Sequence, residues 1–593
     1  MHFSRLALFC TLNAALMSGL SAGEKALKFH DWAPTPPMGW NSWDCFATTI
    51  TEAQTKAQAD FMAAKLKSHG WQYIVVDIQW YEPGAKSHDY RSDAVLTMDE
   101  FGRLQPAANR FPSAADGSGF KSLAAYVHSK GLKFGIHLMR GIPRQAVEKN
   151  LPIKGTALHA QDIADRSNTC PWNPDMFGVD CAKPGAQEYY NSVFELLASW
   201  GVDYVKVDDI SRPYHRSEIE AVRRAIDRTG RPIVLSLSPG ETDFAAAPLV
   251  PQHANLWRIS DDFWDRWLAL RDQFPRLERW NAHRATGAWP DADMLPLGVL
   301  VLGQRNTRFT PDEQLTMMTL WSIARSPLMH GGDMIKTDDA TLALLTNDEV
   351  LAVNQHSVNN RLLFDRDDFI AWVADVPGSP DKYLAVFNTR DRVRLTPENA
   401  RYASTVITSD PASAAEMDVD LTGAKKLFLV ADPTADGGMG DRALWRTPRL
   451  IFADSSERPL TEFKWTTADA TWDSAKIKND AAGQPIGIAA EAAAVIEYAL
   501  PAGAVRFKAT GIVEADNRFK AGGTVRFLVV VGTAENESAA PGLPVAVQLA
   551  DLGFAKGARI RDLWTHRDLG AVSGEFAPEI PFHGAGLYRL SPK

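Results

Sequence analysis

The chain has 593 residues, more than a single hydrophobic core usually serves, so we expect two to four domains. Apolar residues make up 45% of it and charged residues 23%, which is ordinary for a globular protein. The formal net charge of -9 is small for this length and gives no reason to expect a nucleic-acid or anionic-membrane partner.

Residues 1–23 have the pattern of a secretory signal peptide. Arg5 supplies the positive charge, residues 6–20 form a short apolar run, and residues 21–23 are small enough for cleavage. The apolar run is too short and too interrupted for a membrane span, and no other stretch is long enough. We therefore expect a mature chain without a membrane span that is secreted or periplasmic. The sequence leaves the oligomeric state open.

Three cysteines remain once Cys10 leaves with the signal peptide. Cys170 and Cys181 can close a small loop in an oxidising compartment, which would leave Cys45 as a buried free thiol. Three cysteines at these spacings do not form a zinc site.

Helical and extended segments alternate from residue 51 onward. The predicted helices span residues 51–69, 120–130, 186–200, 218–229, 263–270 and 311–324, and the predicted strands span residues 71–77, 132–139, 202–208, 231–238, 256–260 and 297–302. A glycine ends each of the first four helices before an apolar strand begins, which is typical of helix-to-strand loops in parallel α/β proteins. We predict an α/β fold with a (β/α)8 TIM barrel over residues 30–358. An open doubly wound sheet is the alternative, weakened because no Gly-rich dinucleotide motif follows the first strand.

Short alternating strands replace this pattern from about residue 362. Their predicted positions are residues 369–373, 383–388, 426–431, 505–510 and 524–531. Turns rich in Gly, Pro and Asp separate them, which indicates an all-β region.

Unusual polar residues collect at the ends of the predicted barrel strands. They are Asp77, His137, Arg140, Lys206, Asp208, Arg258, Asp261, Asp262, Asp291 and Asp293. A single acid at such a position is usually a helix cap or a solvated loop residue. In a TIM barrel, however, all of these positions fall on the C-terminal face, where active sites lie.

Two carboxylates in a sugar-sized pocket, without a metal motif or a nucleophilic Ser or Cys motif, indicate glycoside hydrolysis. Asp208 is the candidate that must stay ionised, and Lys206 nearby favours that form. The pair Asp261 and Asp262 can raise one pKa by mutual repulsion, although Arg258 opposes this. Because His137 stands alone on its strand, we expect it to be a pocket residue rather than a metal ligand. We expect no metal and no other cofactor, so EDTA should leave activity intact.

Several ordered motifs resemble the clan D α-galactosidases, glycoside hydrolase family 27. Residues 37–43, Pro-Met-Gly-Trp-Asn-Ser-Trp, are similar to the opening signature of that family, and Lys206-x-Asp208 is similar to its nucleophile strand. Residues 258–267 resemble its acid/base segment, and residues 289–295 resemble its W-x-D-x-D-M-L segment. The resemblance covers residues 30–360.

The resemblance implies a retaining double displacement. Asp208 would be the nucleophile and Asp262 would be the acid/base, with their carboxyl groups about 5–5.5 Å apart. The spacing of the motif from its Arg and its Trp selects Asp262 over Asp261. It also implies a sugar-binding subsite formed by Trp43, Asp77, Lys206, Arg258 and Asp293.

Three departures from the family pattern bear on the sugar and on the cysteines. The second of two adjacent acids that hold the O4 and O6 end of galactose is Ile78 here, which resembles members that prefer β-L-arabinopyranosides, sugars without the CH₂OH group. The family's Glu near the 2-OH is absent, leaving Ser238 or Glu241 to serve. The family's Cys after the nucleophile is Ile210, so the resemblance implies that Cys170 pairs with Cys181.

The C-terminal region resembles the family's antiparallel β domain in two pieces, residues 359–409 and 536–593. Residues 410–535 between them resemble a carbohydrate-binding module of the type found beside bacterial glycosidases. We therefore predict an antiparallel β-sandwich interrupted by a second β-sandwich, with a plain spacer as the alternative role for the insert.

These observations predict a secreted retaining exo-glycosidase that takes a carbohydrate substrate, with α-galactosidase as the first activity. A β-L-arabinopyranosidase or another α-glycosidase of the clan is the first alternative. A catalytically inactive sugar-binding protein is an alternative of a different class, and a metal-dependent sugar isomerase is a third that predicts loss of activity with EDTA.

Overall fold

The computed structural model describes residues 27–434, 440–470, 474–515 and 523–593. The predicted signal peptide, with Cys10, lies outside the described residues. Within these ranges no helix combines the length and the apolar composition that crossing a bilayer requires.

Eight parallel strands form one curled sheet. They are β1 (Met38–Asn41), β2 (Tyr73–Val76), β3 (Lys133–Met139), β4 (Tyr204–Asp208), β5 (Val234–Leu237), β6 (Leu256–Arg258), β7 (Trp289–Asp291) and β8 (Leu328–His330). Their order across the sheet is β7-β6-β5-β4-β3-β2-β1-β8. An isolated parallel bridge between Leu295 and His330 joins the segment after β7 to β8, so the sheet closes on itself. The predicted TIM barrel is confirmed.

Helices connect and surround these strands. The longer ones are Glu52–Phe61, Lys121–Ser129, Ala186–Trp200, Arg216–Thr229, Trp267–Asn281, Pro311–Ala324 and Asp348–His356, and shorter ones are Trp43–Phe46, Arg144–Glu148, Ala160–Ile163 and Asp339–Leu345. Gly201 and Gly230 end two of them with φ values of 86° and 69°. A side chain at that positive φ would be strained, which explains why glycine stands there.

The seventh barrel strand is not where the sequence pattern placed it. Residues 297–302 were predicted as a barrel strand, but only Val299–Leu300 is extended, and it pairs antiparallel with Arg305–Asn306. Val301 and Leu302 have positive φ and donate their N–H groups to the carbonyls of Asp44 and Cys45. This apolar run is therefore a partly buried turn against the helix Trp43–Phe46, while Trp289–Asp291 supplies the barrel strand. The predicted helix 263–270 likewise begins only at Trp267.

The region after the barrel contains antiparallel sheets. A six-stranded sheet has the order Val358–Arg366, Phe369–Asp375, Lys382–Asn388, Gly584–Pro592, Ala558–Asp562 and Arg567–Val572. The strands Gly542–Pro544 and Glu579–Pro581, and Val547–Gln548 and Glu575–Phe576, pair beside it. A small sheet of Ile142–Pro143, Met176–Val179 and Ala164–Thr169 follows β3 in the barrel region.

Two further sheets lie in the chain between the halves of the six-stranded sheet. The first has the strand order Tyr402–Thr408, Thr524–Gly532, Lys426–Asp432, Ala494–Ala499 and Thr467–Ala470. The second has the strand order Ala415–Asp420, Ala504–Glu514, Arg442–Phe452, Pro485–Glu491 and Lys476–Asn479. The short strand Glu457–Pro459 also pairs with Arg442–Phe452. They enclose one apolar core that includes Leu429, Trp445 and Phe527. The architecture is thus a barrel followed by a β-sandwich domain that a second β-sandwich interrupts. Pairing within the insert begins at Tyr402, before the predicted boundary at residue 410.

Candidate active site

Polar side chains gather at the carboxyl ends of the barrel strands. They are Trp43 after β1, Asp77 after β2, His137 in β3, Lys206 and Asp208 in β4, Ser238 after β5, Arg258 in β6 and Asp293 after β7. The register of β3 against β4 places His137 opposite Lys206, so that these two residues and Asp208 share one face of the sheet. These predicted site residues lie at this edge, whereas Arg140, after β3, is ion-paired to Asp209 and Glu218 instead.

Asp208 is held as a carboxylate by two basic groups. Its Oδ2 lies 2.7 Å from His137 Nε2 and 3.8 Å from Lys206 Nζ. Burial by itself raises the pKa of Asp208, but the charges of Lys206 and His137, with a smaller contribution from the Ser238 hydroxyl, outweigh it and hold that pKa well below its ordinary value. These neighbours therefore favour the ionised carboxylate, which is the form that a nucleophile needs.

Asp77 sits on the other side of the same ammonium group. Its Oδ2 accepts hydrogen bonds from Lys206 Nζ at 3.0 Å and from Asn41 Nδ2 at 2.7 Å, and Asn41 Oδ1 accepts the N–H of Trp43 at 2.9 Å. Asn41 thus ties Asp77 to the Trp43 backbone, a role that sequence reasoning missed although the residue lies within the opening motif. Ile78 is buried, and its N–H donates to Asp77 Oδ1 at 2.8 Å.

Asp77, His137 and Asp208 bring three ligand-type atoms within 4.8 Å of one another, a spacing that can hold a metal ion. The Lys206 ammonium, however, lies within 4 Å of both carboxylates. Burial lowers the pKa of Lys206, but the charges of Asp208 and Asp77 outweigh it and raise that pKa. A divalent ion would have to share this position with a permanent cation, so the site favours the ammonium over a metal.

Asp262 and Asp261 differ in their surroundings although they are adjacent. Asp262 accepts a hydrogen bond from Arg258 Nη2 at 3.2 Å and leaves half of its side chain exposed. Asp261 is ion-paired to Arg212 instead, with one contact at 3.0 Å. Asp262 is therefore the member of the pair that is attached to the strand-end cluster.

Arg258 links Asp262 to the floor of the pocket. Its Nη2 also lies 2.8 Å from Asp293 Oδ2, which accepts the N–H of Phe263 at 2.7 Å. Burial lowers the pKa of Arg258, but the charges of Asp293 and Asp262 outweigh it, so the pKa stays above its ordinary value. The charged guanidinium fixes both carboxylates relative to β6.

Two further buried carboxyls lie near this cluster: Asp291, one of the strand-end acids that the sequence indicates, and Asp44, which the sequence does not single out. Burial, followed by the charge of Asp293, raises the pKa of Asp291 to about 7. Burial, followed by the charges of Asp293 and Asp262, also raises the pKa of Asp44 well above its ordinary value. Both groups hold protons more tightly than an exposed Asp because too few cations are present to balance every buried acid. Asp44 follows Trp43 directly, yet nothing in its sequence neighbourhood marks it as buried.

Aromatic side chains form a rim above these acids. Tyr90 stacks on Trp43 with ring centroids 6.2 Å apart and contacts Trp172 at 5.7 Å, while His88 contacts Trp43 at 5.7 Å and Trp264 at 6.3 Å. Burial and then the charges of Asp208, Asp77 and Asp262 raise the pKa of Tyr90. The phenol therefore lies close to the acid cluster. Flat apolar rings at the mouth of a polar pocket suit the faces of a sugar.

The alternative site residue Glu241 does not join the cluster. Its carboxylate is ion-paired to Arg276 and Arg279 of the helix Trp267–Asn281. Ser238 takes the place near the nucleophile, with its N–H donating to the Val207 carbonyl at 2.9 Å.

The predicted disulfide between Cys170 and Cys181 is wrong, because both are free thiols in the structure, as is Cys45. The Cys170 thiol interacts with the Asp209 carboxylate, whereas Cys181 lies beside Ser217 and Glu218. Burial raises the pKa of the Cys170 thiol and raises that of Cys181 to about 12. The two thiols thus have separate polar partners.

Comparison with known proteins places this site in a family. The family model described as "Alpha galactosidase A" matches residues 35–180 and 143–356, and the one described as "Alpha galactosidase C-terminal beta sandwich domain" matches residues 523–590. The chain belongs to the α-galactosidase family. It is therefore a glycoside hydrolase of family 27, and the predicted glycosidase activity is confirmed at that level.

Relatives of two activities are similar to the chain. An α-galactosidase from Coffea arabica is 32% identical over 352 residues, covering 58% of this chain and 76% of its own length, and alpha-galactosidase 2 from Arabidopsis thaliana is 28% identical over 402 residues, covering 67% and 83%. The solved structure of a family 27 β-L-arabinopyranosidase from Geobacillus stearothermophilus is 39% identical, with a TM-score of 0.68, and the match covers 96% of this chain and 98% of that one.

Proposed function

We propose that this family member is a retaining exo-glycosidase of the α-galactosidase type that removes terminal β-L-arabinopyranosyl and α-D-galactosyl residues and prefers the former. The observation that carries the proposal is the contrast between two carboxylates at one edge of the barrel. Asp208 is buried and ionised between Lys206 and His137, whereas Asp262 is half exposed on Arg258.

Asp208 is the proposed nucleophile. Its carboxylate attacks the anomeric carbon, the bond to the leaving oxygen breaks, and a covalent glycosyl ester forms. Lys206 and His137 keep the carboxylate deprotonated and limit its rotation. Because Lys206 also holds Asp77, the nucleophile and a sugar-binding acid are fixed relative to each other.

Asp262 is the proposed acid/base. It gives its proton to the leaving oxygen in the first step and takes one from the attacking water in the second. Its exposed half faces the solvent from which protons and water arrive, while Arg258 fixes the other half. The exposure also suits an aglycone that leaves from the pocket mouth beneath the aromatic rim.

Replacing Lys206 with Met is expected to lower kcat/KM by roughly 10²-fold, because a preorganised charge next to the nucleophile is lost. The pKa of Asp208 should rise towards its ordinary value, so the acidic limb of the kcat/KM profile moves to higher pH. The pKa of Asp208 also makes the stability of the fold depend on pH. The lowered pKa of Asp208 stabilises the fold above the unfolded pKa of about 3.9, and this contribution is lost as pH falls through the folded value.

Lys133→Met is the matched control for this variant, because Lys133 begins β3 at the opposite end of the barrel and contacts Tyr73. Its acidic limb should stay in place. An unmoved limb in Lys206→Met would show that Lys206 does not set the ionisation of the nucleophile.

The sugar preference is inferred from one side chain and one relative. Ile78 takes the position of the second acid that would accept a hydrogen bond from the galactose CH₂OH group. β-L-Arabinopyranose has the ring configuration of α-D-galactopyranose without that group, so it leaves no hydroxyl unpaired beside an apolar side chain. The 39% identical relative that spans nearly the whole chain is a β-L-arabinopyranosidase.

The deciding experiment compares kcat/KM for p-nitrophenyl β-L-arabinopyranoside and p-nitrophenyl α-D-galactopyranoside. We expect the arabinoside to be favoured at least about tenfold, the low end of what one misfitting group costs in a pocket. NMR of the first product should show retention of the anomeric configuration. A faster galactoside would reverse the preference, and an inverted product would rule out the double displacement.

We propose further that the protein is exported to the periplasm or the medium. The charged start, the apolar run and the small residues of 1–23 support this location.

A further inference from the structure

A helix begins shortly after the acid/base residue, and the side chain at the N-cap position of this helix does not cap it. The helix Trp267–Asn281 begins five residues after Asp262, and Arg266 occupies its N-cap position. The first N–H groups of a helix need acceptors from outside it, usually a Ser, Thr, Asn or Asp side chain at the cap. The Arg266 side chain contains only donors and cannot serve.

A residue of the inserted sandwich supplies the missing acceptor. Asp469, in the strand Thr467–Ala470, accepts the N–H of Leu268 with its Oδ2 at 2.9 Å, across 201 residues of sequence. Leu268 is the second residue of the helix, and a carboxylate there also interacts favourably with the positive end of the helix dipole. Burial raises the pKa of Asp469 to about 6. The hydrogen bond from Leu268 and the charges of Arg266 and Arg271 lower this pKa, and the charge of Glu313 raises it.

Two other contacts fix the segment between Asp262 and this helix. The Asp265 carboxylate, from the barrel, is ion-paired to Arg305 and accepts the N–H of Arg308. Trp267 stacks on His583 of the outer sandwich, with ring centroids 3.7 Å apart and an angle of 9° between the rings. All three domains therefore hold residues 265–268, three to six positions beyond the acid/base.

We propose that Asp469 is a positioning residue: the inserted sandwich, a different domain of the same chain, caps the helix Trp267–Asn281 and thereby fixes the segment that carries Asp262. The inference rests on the proposed role of Asp262 as acid/base. It gives the insert a part in hydrolysis that does not depend on sugar binding by that domain. Truncating the cap frees the first turn of the helix, so Asp262 loses its fixed distance to the leaving oxygen while Asp208 on β4 keeps its own contacts.

The test uses the dependence on leaving group, because only a poor leaving group needs the proton from Asp262. The full-length wild type, Asp469→Ala, Asp469→Asn and Asp262→Ala are compared on the 2,4-dinitrophenyl and the phenyl glycoside of the preferred sugar. For Asp469→Ala we expect kcat/KM on the phenyl glycoside to fall about tenfold, a part of the 10²–10⁴ that acid catalysis contributes. The value for the dinitrophenyl glycoside should stay within about twofold. Asp469→Asn keeps an oxygen acceptor and should recover most of the loss.

Asp338→Ala is the matched control, because Asp338 caps the barrel helix Asp339–Leu345 by accepting the N–H of Thr341 at 2.7 Å. It loses a cap of the same kind and should affect both substrates equally. Equal losses on both substrates, or no loss, in Asp469→Ala and Asp469→Asn would overturn the positioning role. If Asp262→Ala itself shows no selective loss on the phenyl glycoside, the proposed acid/base is wrong instead, so the two failures are distinguishable.

Discussion

Replacing Asp208 with Asn is expected to lower kcat/KM by at least about 10³-fold while the pocket still binds free sugar, because the variant keeps the shape of the site and loses its nucleophile. The Asn side chain can still accept a hydrogen bond from His137, and Lys206 keeps its contact with Asp77. Turnover of the p-nitrophenyl glycosides and calorimetric binding of arabinose and galactose measure the two effects. Undiminished turnover would contradict the assignment. A chain that binds sugar but shows no turnover even as wild type would be a sugar-binding protein.

Azide separates the roles of the two carboxylates. In Asp208→Ala, azide can enter the vacated space and displace the leaving group once, which gives a glycosyl azide of inverted configuration. In Asp262→Ala, the ester still forms on Asp208 from an activated substrate, and azide then opens it with net retention. The opposite pattern would exchange the two roles. Asp261→Asn is the control for position 262, because Asp261 pairs with Arg212, and its products should match those of the wild type.

The parts of the barrel that could be predicted are those where two signals coincide. Before β2 to β5, a helix ends at a glycine and an apolar strand follows, and the structure has both features. The strands β7 and β8 have three residues each, too few for a period to be recognised, and Pro290 further weakens the strand signal of β7. The longer apolar run 297–302 has the stronger strand pattern, because a partly buried turn can be as apolar as a strand.

The site was predictable to the extent that it lies on strand ends. Asp77, Lys206, Asp208 and Arg258 converge because parallel strands bring their carboxyl ends to one edge. Asn41 and Asp44 at the end of β1, and Tyr90 in the loop after β2, belong to the same cluster through contacts that no periodicity predicts. The cap from Asp469 comes from another domain, which no local sequence pattern can indicate. The disulfide prediction failed because the spacing of two cysteines in the sequence does not determine which side chains they contact in the fold.

Replacing Ile78 with Asp is expected to raise the ratio of kcat/KM for the galactoside to that for the arabinoside by about 10²-fold, since a buried acceptor next to Asp77 would pair with the O6 hydroxyl. The new carboxyl costs stability because it is buried beside another acid, so the melting temperature should fall and the assays should be run well below it. Proximity to Asp77 also raises the pKa of the new group. A protonated carboxyl still accepts a hydrogen bond from O6, so the change in ratio should persist on the acidic side of the pH profile.

Two further variants at position 78 separate charge from polarity. Ile78→Asn offers an acceptor without a charge and should move the ratio in the same direction by a smaller factor. Ile78→Val keeps the apolar surface and should not move the ratio towards the galactoside, because valine offers no acceptor for the O6 hydroxyl. If Ile78→Asp folds and its ratio equals that of the wild type, the sugar preference is set elsewhere. The aromatic rim around Tyr90 would then be the next place to test, because Tyr90 stacks on Trp43 and the charges of Asp208 and Asp77 act on its phenol.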